Sequence, residues 1–149
     1  MIRVTRSTTV TATPEAVVGY LQDFGHAEEW DPGTRSCTRL DDGPVRVGSR
    51  WRNVSSVLGR ETTVEYTLVE LRTDGVVFEG RNAGARTVDD IRVAPAAGED
   101  TTGSVVDYHA TVELRGWSRL AYPLMHLAFR RLADKTVEQL RRTLDGLRT

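Results

Sequence analysis

Two residues in this sequence are of types that move protons and stand where a fold can turn them inward. His126 follows Tyr122 by four positions and precedes Phe129 by three, a spacing that sets all three side chains on one face of an α-helix. A neutral imidazole in that place can act as a base or hydrogen-bond a ligand carbonyl. The alternative is a core histidine satisfied by a backbone carbonyl or a tyrosine hydroxyl. Asp89 alternates with Thr87, Ile91 and Val93; if that set faces inward, Asp89 is a carboxylate in apolar surroundings with a raised pKa. If Arg86, Val88 and Arg92 face inward instead, Asp89 is solvated.

Around these two, strand alternation turns Trp51, Tyr66 and Tyr108 inward, each offering an aromatic wall and one hydrogen bond. Phe78 shares an inner face with Val76 and Gly80, and Gly80 leaves space where a large side chain would fill it. Met125 joins Tyr122, His126 and Phe129 on the helix. The candidate ligand-binding set is therefore Trp51, Tyr66, Phe78, Tyr108, Tyr122, Met125, His126 and Phe129, with His126 and Asp89 as the candidate catalytic pair. Arg6 reaches a ligand's charged end if Val4 and Val10 face in, or is a solvated or salt-bridged arginine.

No glycine-rich phosphate loop, no Gly-x-Ser-x-Gly elbow and no His-Glu-x-x-His or paired-cysteine spacing occurs. His26, His109 and His126 are dispersed, so neither a metal site nor a cofactor is expected. The chain has 149 residues, of which 28% are charged, and a formal net charge of −1; a nucleic-acid binder driven by phosphate contacts would need a basic excess. Cys37 is the only cysteine, which excludes an internal disulfide and fits a reducing compartment. The first ten residues lack an apolar signal region, and no run is long enough to span a bilayer. The expected location is the cytoplasm, with no integral membrane association and a monomer or homodimer as the assembly.

These side chains need elements to hold them. Ile2, Val4 and Val10 among threonines and arginines predict a first strand at 2–11. Thr13-Pro14 is a helix cap followed by proline at the first helical position, giving a short helix at 14–22; one more turn at 26–30 ends at Asp31-Pro32-Gly33. Turn signals at 41–44, 58–59, 73–75, 82–84 and 95–103 then bound strands at 35–40, 49–57, 61–71, 76–81, 86–93 and 104–114. Short loops make this an antiparallel meander of about seven strands. In 104–114 the set Val106, Tyr108, Ala110, Val112 and Leu114 faces the core, and Asp107, His109, Thr111 and Glu113 face water. The apolar phase of 61–71 slips near Val69, which predicts a bulge.

The last element, at 117–147, is a long helix whose apolar stripe continues through Ala133, Val137, Leu140, Leu144 and Leu147. Its first half is apolar on both sides, since Leu120, Leu124 and Leu127 lie opposite Tyr122 and His126. A second apolar side packs under the 23–30 helices, meets a second subunit, or forms the lip of a pocket.

Thr13-Pro14-Glu15-Ala16-Val17, Leu21-Gln22-Asp23-Phe24 with Trp30-Asp31-Pro32-Gly33, the run at 43–51 and Leu140-Arg141-Arg142-Thr143-Leu144 resemble the START-like (SRPBCC) superfamily, and within it the polyketide cyclase/dehydrase and lipid transport family. The resemblance spans the chain. It implies one α+β domain over 1–149 with the helix-grip fold: a curved seven-stranded antiparallel sheet wrapped around a long C-terminal helix, with two short helices after the first strand. It also implies a cavity between sheet and helix, and says little of function, because its motifs are caps, turns and packing residues. Three readings follow. The cavity shelters a hydrophobic or aromatic small molecule such as a lipid, quinone or polyketide; or it is a polyketide aromatase/cyclase or dehydratase; or the apolar lip makes the chain a protein-interaction domain.

Overall fold

Thr13 is the first residue to leave the extended backbone: its hydroxyl accepts the Ala16 N–H at 3.3 Å, and Pro14 opens the helix behind it. In the computed structural model, which describes residues 1–98 and 102–147, the order is β1 (Ile2–Val10), α1 (Pro14–Leu21), a 3-10 turn (Phe24–His26), α2 (Ala27–Trp30), β2 (Thr34–Arg39), β3 (Arg50–Val57), β4 (Arg60–Arg72), β5 (Gly75–Arg81), β6 (Ala85–Pro95), β7 (Ser104–Leu114), a second 3-10 turn (Gly116–Ala121) and α3 (Tyr122–Asp145). Of the turn expected at 95–103, positions 99–101 lie outside the described residues.

The seven strands form one antiparallel sheet in the order β1-β7-β6-β5-β4-β3-β2. Hairpin loops account for every pairing from β2 to β7. The remaining one, β1 on β7, runs from Ile2 opposite Val112 to Val10 opposite Ser104 and is made possible by the helices that carry the chain from one edge to the other. The expected bulge is present, as the β4–β5 register shifts between Leu68 and Glu70. Its consequence is that Val69 and Leu71 turn outward, 40% and 37% exposed.

The helix expected at 117–147 divides in two. Its first turn is 3-10, and α3 proper begins at Tyr122 with Pro123 in the opening turn, where the missing N–H has no helical partner to lose. The C-terminal half seals the main core through Leu140 and Leu144, both fully buried with Trp51, Leu68, Phe78 and Val106. Side-chain hydrogen bonds tie this half down. Gln139 donates to the Glu29 carbonyl at 2.7 Å, and the Thr11 N–H donates to Asp145 at 2.8 Å. The N-terminal half rides over the β1 edge instead, where Met125 and Phe129 pack on a second apolar cluster of Ile2, Val4, Val112 and Ala133.

The other apolar side of that half is left open among the described residues: Leu120, Leu124 and Leu127 are 76%, 57% and 48% exposed. Packing beneath the 23–30 helices is thereby removed as an account of them. Leu140→Ala is expected to cost about 2–5 kcal/mol of stability, whereas Leu124→Ala should stay within about 0.5 kcal/mol. Urea unfolding of the two variants checks the contrast, and equal losses would contradict the assignment of faces.

Candidate functional site

Alternation on three neighbouring strands, β3, β4 and β5, aims one aromatic group at another. Phe24, in the first 3-10 turn, lies against Tyr66 of β4 with ring centroids 4.3 Å apart, against Phe78 of β5 at 4.6 Å, and nearer the edge of Trp51 of β3 at 6.3 Å. The Trp51 indole N–H donates to Asp23 at 3.1 Å, and the same carboxylate oxygen accepts the Gly25 N–H at 2.9 Å. One aspartate thus pins the 3-10 turn to the wall it completes. Gly80, opposite Tyr66 in the ladder, lets this happen: a Cβ there would come within 2.7 Å of both the Tyr66 ring and the Thr87 hydroxyl. The space expected at Gly80 is therefore occupied by the Tyr66 ring.

A polar group lies beside this wall. The inner set of β6 is Thr87, Asp89, Ile91 and Val93, because Asp89 pairs with Phe78 on one side and Ala110 on the other and shares their face. Asp89 is buried, accepts the Tyr108 hydroxyl at 3.2 Å, and has its pKa pushed up to about 7, mainly by burial and secondarily by the charge of Asp31. Asp31, at the end of α2, is raised too by burial, although it accepts the Gly33 N–H at 3.0 Å and the Thr34 hydroxyl at 2.9 Å. Asn53 donates to Thr34 at 2.9 Å, and Thr87 donates to the Tyr66 hydroxyl at 3.3 Å. Burial and the Asp89 carboxylate hold both tyrosines protonated, well above the usual phenol range. Trp30, packed edge-on to Tyr108 at 6.4 Å, keeps a buried indole N–H with no partner, the only such side-chain group among the described residues.

Of the candidate residues, Trp51, Tyr66, Phe78, Asp89 and Tyr108 come together on the sheet. Tyr122, Met125, His126 and Phe129 do not join them. Tyr122 is 37% exposed and its hydroxyl donates to the Met1 carbonyl at 3.0 Å; His126 is half-buried with Tyr122 as its ring neighbour at 6.0 Å. The N-terminal half of α3 lies over the edge strand, and this separates His126 from Asp89. Arg6 is salt-bridged to Asp134 of α3 at 2.6 Å, which resolves its alternatives against a ligand contact. The sequence reading missed Phe24, Trp30 and Asp31, absorbed into turn and cap motifs, Thr34, which falls between a turn and the next strand, and Asn53, which alternates with Trp51 and was open to detection.

Among the described residues, clefts open at the surface on either side of the first turns of α3. One, of about 220 Å³, lies between the β3–β4 hairpin at Val57 and Leu58 and the α3 residues Leu124, Leu127 and Leu132, with Arg131 and Lys135 at its rim. Leu132 is also the side chain packed over Gly33, next to Asp31, so this cleft adjoins the polar group. The other, of about 600 Å³, lies by Glu113, Arg115, Arg119 and Tyr122. Among the described residues no three His, Cys, Asp or Glu side chains are grouped to hold a metal ion.

An unfolded aspartate titrates near 3.9, about three units below folded Asp89, so folding favours the protonated form. Below about pH 4 both states are protonated and the contribution of Asp89 to stability is complete; it drains away up to about pH 7, by at most about 4 kcal/mol. Asp89→Asn, neutral throughout, is expected to gain on the parent protein on going from pH 4 to pH 8. Urea unfolding at the two pH values measures the gain, and identical pH profiles for the two proteins would refute it.

The chain matches, over residues 1–145, the model of the family described as polyketide cyclase/dehydrase and lipid transport. No curated protein matches it in sequence. Among solved structures it is similar to the Zhui aromatase/cyclase of Streptomyces sp. R1128, at a TM-score of 0.77 and 13% identity over 96% of this chain and 93% of that one. It is also similar to a START superfamily protein of Mycobacterium smegmatis, at 0.70 and 16% over 97% and 94%, and to a protein of Thermus thermophilus, at 0.73 and 16% over 95% and 96%. At these identities the shared feature is the fold: a curved antiparallel sheet gripping a long C-terminal helix, which with the family match makes this chain a member of the polyketide cyclase/dehydrase and lipid transport family.

Proposed function

We propose that the chain binds a hydrophobic or aromatic small molecule (lipid-, quinone- or polyketide-like) between the sheet and α3, with an oxygen of that molecule directed at the polar group around Asp89. The observation that carries this reading is the orphaned Trp30 N–H, on a ring packed edge-on to Tyr108, whose own hydroxyl donates to Asp89. A buried donor without an acceptor costs about 1–3 kcal/mol, which a ligand carbonyl or hydroxyl would recover. The helix supports it, since its first buried positions, Ala133 and Thr136, are small, whereas Leu140 and Leu144 further along are large. The cleft at Leu132 serves as the mouth. The single free Cys37, buried, suits a reducing compartment, and the cytoplasm is the place proposed.

A second reading, an aromatase/cyclase or dehydratase, is favoured by one observation: a buried carboxyl titrating at about 7 beside a tyrosine hydroxyl. Near neutrality Asp89 populates both forms. As carboxylate it takes a proton from a carbon between two ketones; the enolate attacks a further ketone of the chain, and the acid returns that proton to the alkoxide formed. In the loss of water the carboxylate takes the second proton from the same carbon and delivers it to the departing hydroxyl. In this reading Asp89 carries the proton, and His126, on the far part of α3, takes no part.

Native mass spectrometry of freshly purified protein, followed by extraction, tests for a guest. A co-purifying or added apolar compound is expected to shift the Trp30 indole N–H resonance in a nitrogen-15 correlation spectrum. An empty protein whose Trp30 signal no apolar compound moves would sink the binding reading. Asp89→Asn separates the two readings. Loss of about a hundredfold or more in turnover with binding kept supports the enzyme, and unchanged handling of the compound supports the carrier.

A further inference from the structure

One end of the molecule is built of groups that the fold itself does not use. Trp117, Leu120, Leu124 and Leu127 follow one another at steps of three, four and three, the spacing of a single helical stripe, and are 87%, 76%, 57% and 48% exposed. Leu58, 56% exposed, faces the same cleft from the β3–β4 hairpin. It holds φ +54°, in the left-handed region, where a branched side chain is strained and asparagine or glycine would be at ease. Folding gains nothing from an exposed leucine in that conformation.

The charge on the 3-10 turn and the first half of α3 has one sign, although Glu113 shares a cleft with Arg115 and Glu61 stands beside the hairpin tip. Residues 115–133 contain Arg115, Arg119, Arg130 and Arg131 and no carboxylate, in a chain whose net charge is −1. Among the described residues none of these four side chains forms an ion pair. A second copy is a poor cover, because a two-fold contact would set this stripe against itself, arginine facing arginine. An apolar stripe with a tryptophan at its tip and unpaired arginines beside it matches an anionic lipid surface, apolar side into the acyl boundary and cations at the headgroups.

We propose that this end, formed by the 3-10 turn Gly116–Ala121, the first turns of α3 and the tip of the β3–β4 hairpin, docks the protein on the surface of an anionic bilayer. It lies in the plane of the interface and does not cross it; among the described residues no helix is long and apolar enough to span a membrane. Docking stands whatever the interior holds. If the cleft at Leu124 and Leu132 is the mouth of the ligand site, docking also lets an apolar guest pass between bilayer and interior without entering water.

The protein reports its own docking. Trp30 and Trp51 are 1% and 0% exposed, so the part of a lipid-induced change in tryptophan emission that Trp117→Phe removes reports docking. Vesicles of phosphatidylcholine with phosphatidylglycerol are expected to shift emission to the blue and to carry the protein in flotation. Vesicles of phosphatidylcholine alone should bind much more weakly, and salt should reverse the effect. Arg119→Ala and Arg131→Ala should each weaken binding about fivefold. Leu120→Asp, an exposed change whose fold is checked by circular dichroism, should abolish binding. Equal binding to both vesicle types, or to neither, overturns the proposal. So does a dimer in sedimentation equilibrium that Leu120→Asp dissolves, since a second copy would then own the surface; retention of binding in Leu120→Asp does the same.

Discussion

A buried carboxyl, Asp89, within electrostatic reach of the half-buried Asp31 sets the terms for the rest of this interior. Asp89 cannot be desolvated as an anion near the charge of Asp31 without cost, and the surroundings answer by holding protons: Asp89 titrates at about 7, and Tyr66 and Tyr108 stay phenols. Each neighbour follows from that constraint. Tyr108 satisfies one Asp89 oxygen, Thr34 and Gly33 satisfy Asp31, and Asn53 satisfies Thr34. The aromatic wall of Phe24, Tyr66, Phe78 and Trp51 keeps water from the group on one side, and Gly80 is the gap that lets Tyr66 lie flat enough to take part. A core of this size has cheaper ways to fill itself than with acids, which is why the group reads as a site.

The division of α3 follows the same logic. Where the helix needs to seal the core it carries Leu140 and Leu144 and is anchored by Gln139 and Asp145. Where it leaves the sheet it covers the β1 edge with Met125 and Phe129 and exposes its other face. One element thereby closes one end of the molecule and leaves the other end apolar and basic.

The strands were legible because period-two alternation runs unbroken through 104–114 and slips in 61–71 at Val69, where the ladder does carry a bulge. The β1–β7 pairing was not written in any loop; it depends on closure of the whole sheet. Asp89 could not be oriented from its own strand, since both faces of 86–93 mix apolar and charged residues. Its partners Phe78 and Ala110 decide the matter. The helical pattern does set the stripe of Met125 and Phe129 against the sheet, but it cannot tell over which strands; that stripe meets the β1 edge, and His126 lies there with it, away from Asp89. Asp31 and Phe24 escaped notice because a turn motif already accounted for them.

The central claim is that Asp89 is a buried carboxyl on the inner face, coupled to Asp31. Titration of the aspartate side-chain carboxyl carbons by carbon-13 NMR tests it directly. The account predicts a resonance, absent from Asp89→Asn, that titrates near 7 and moves to lower pH when Asp31→Asn removes the neighbouring charge. An Asp89 carboxyl that titrates with the ordinary surface aspartates, indifferent to Asp31, would contradict it.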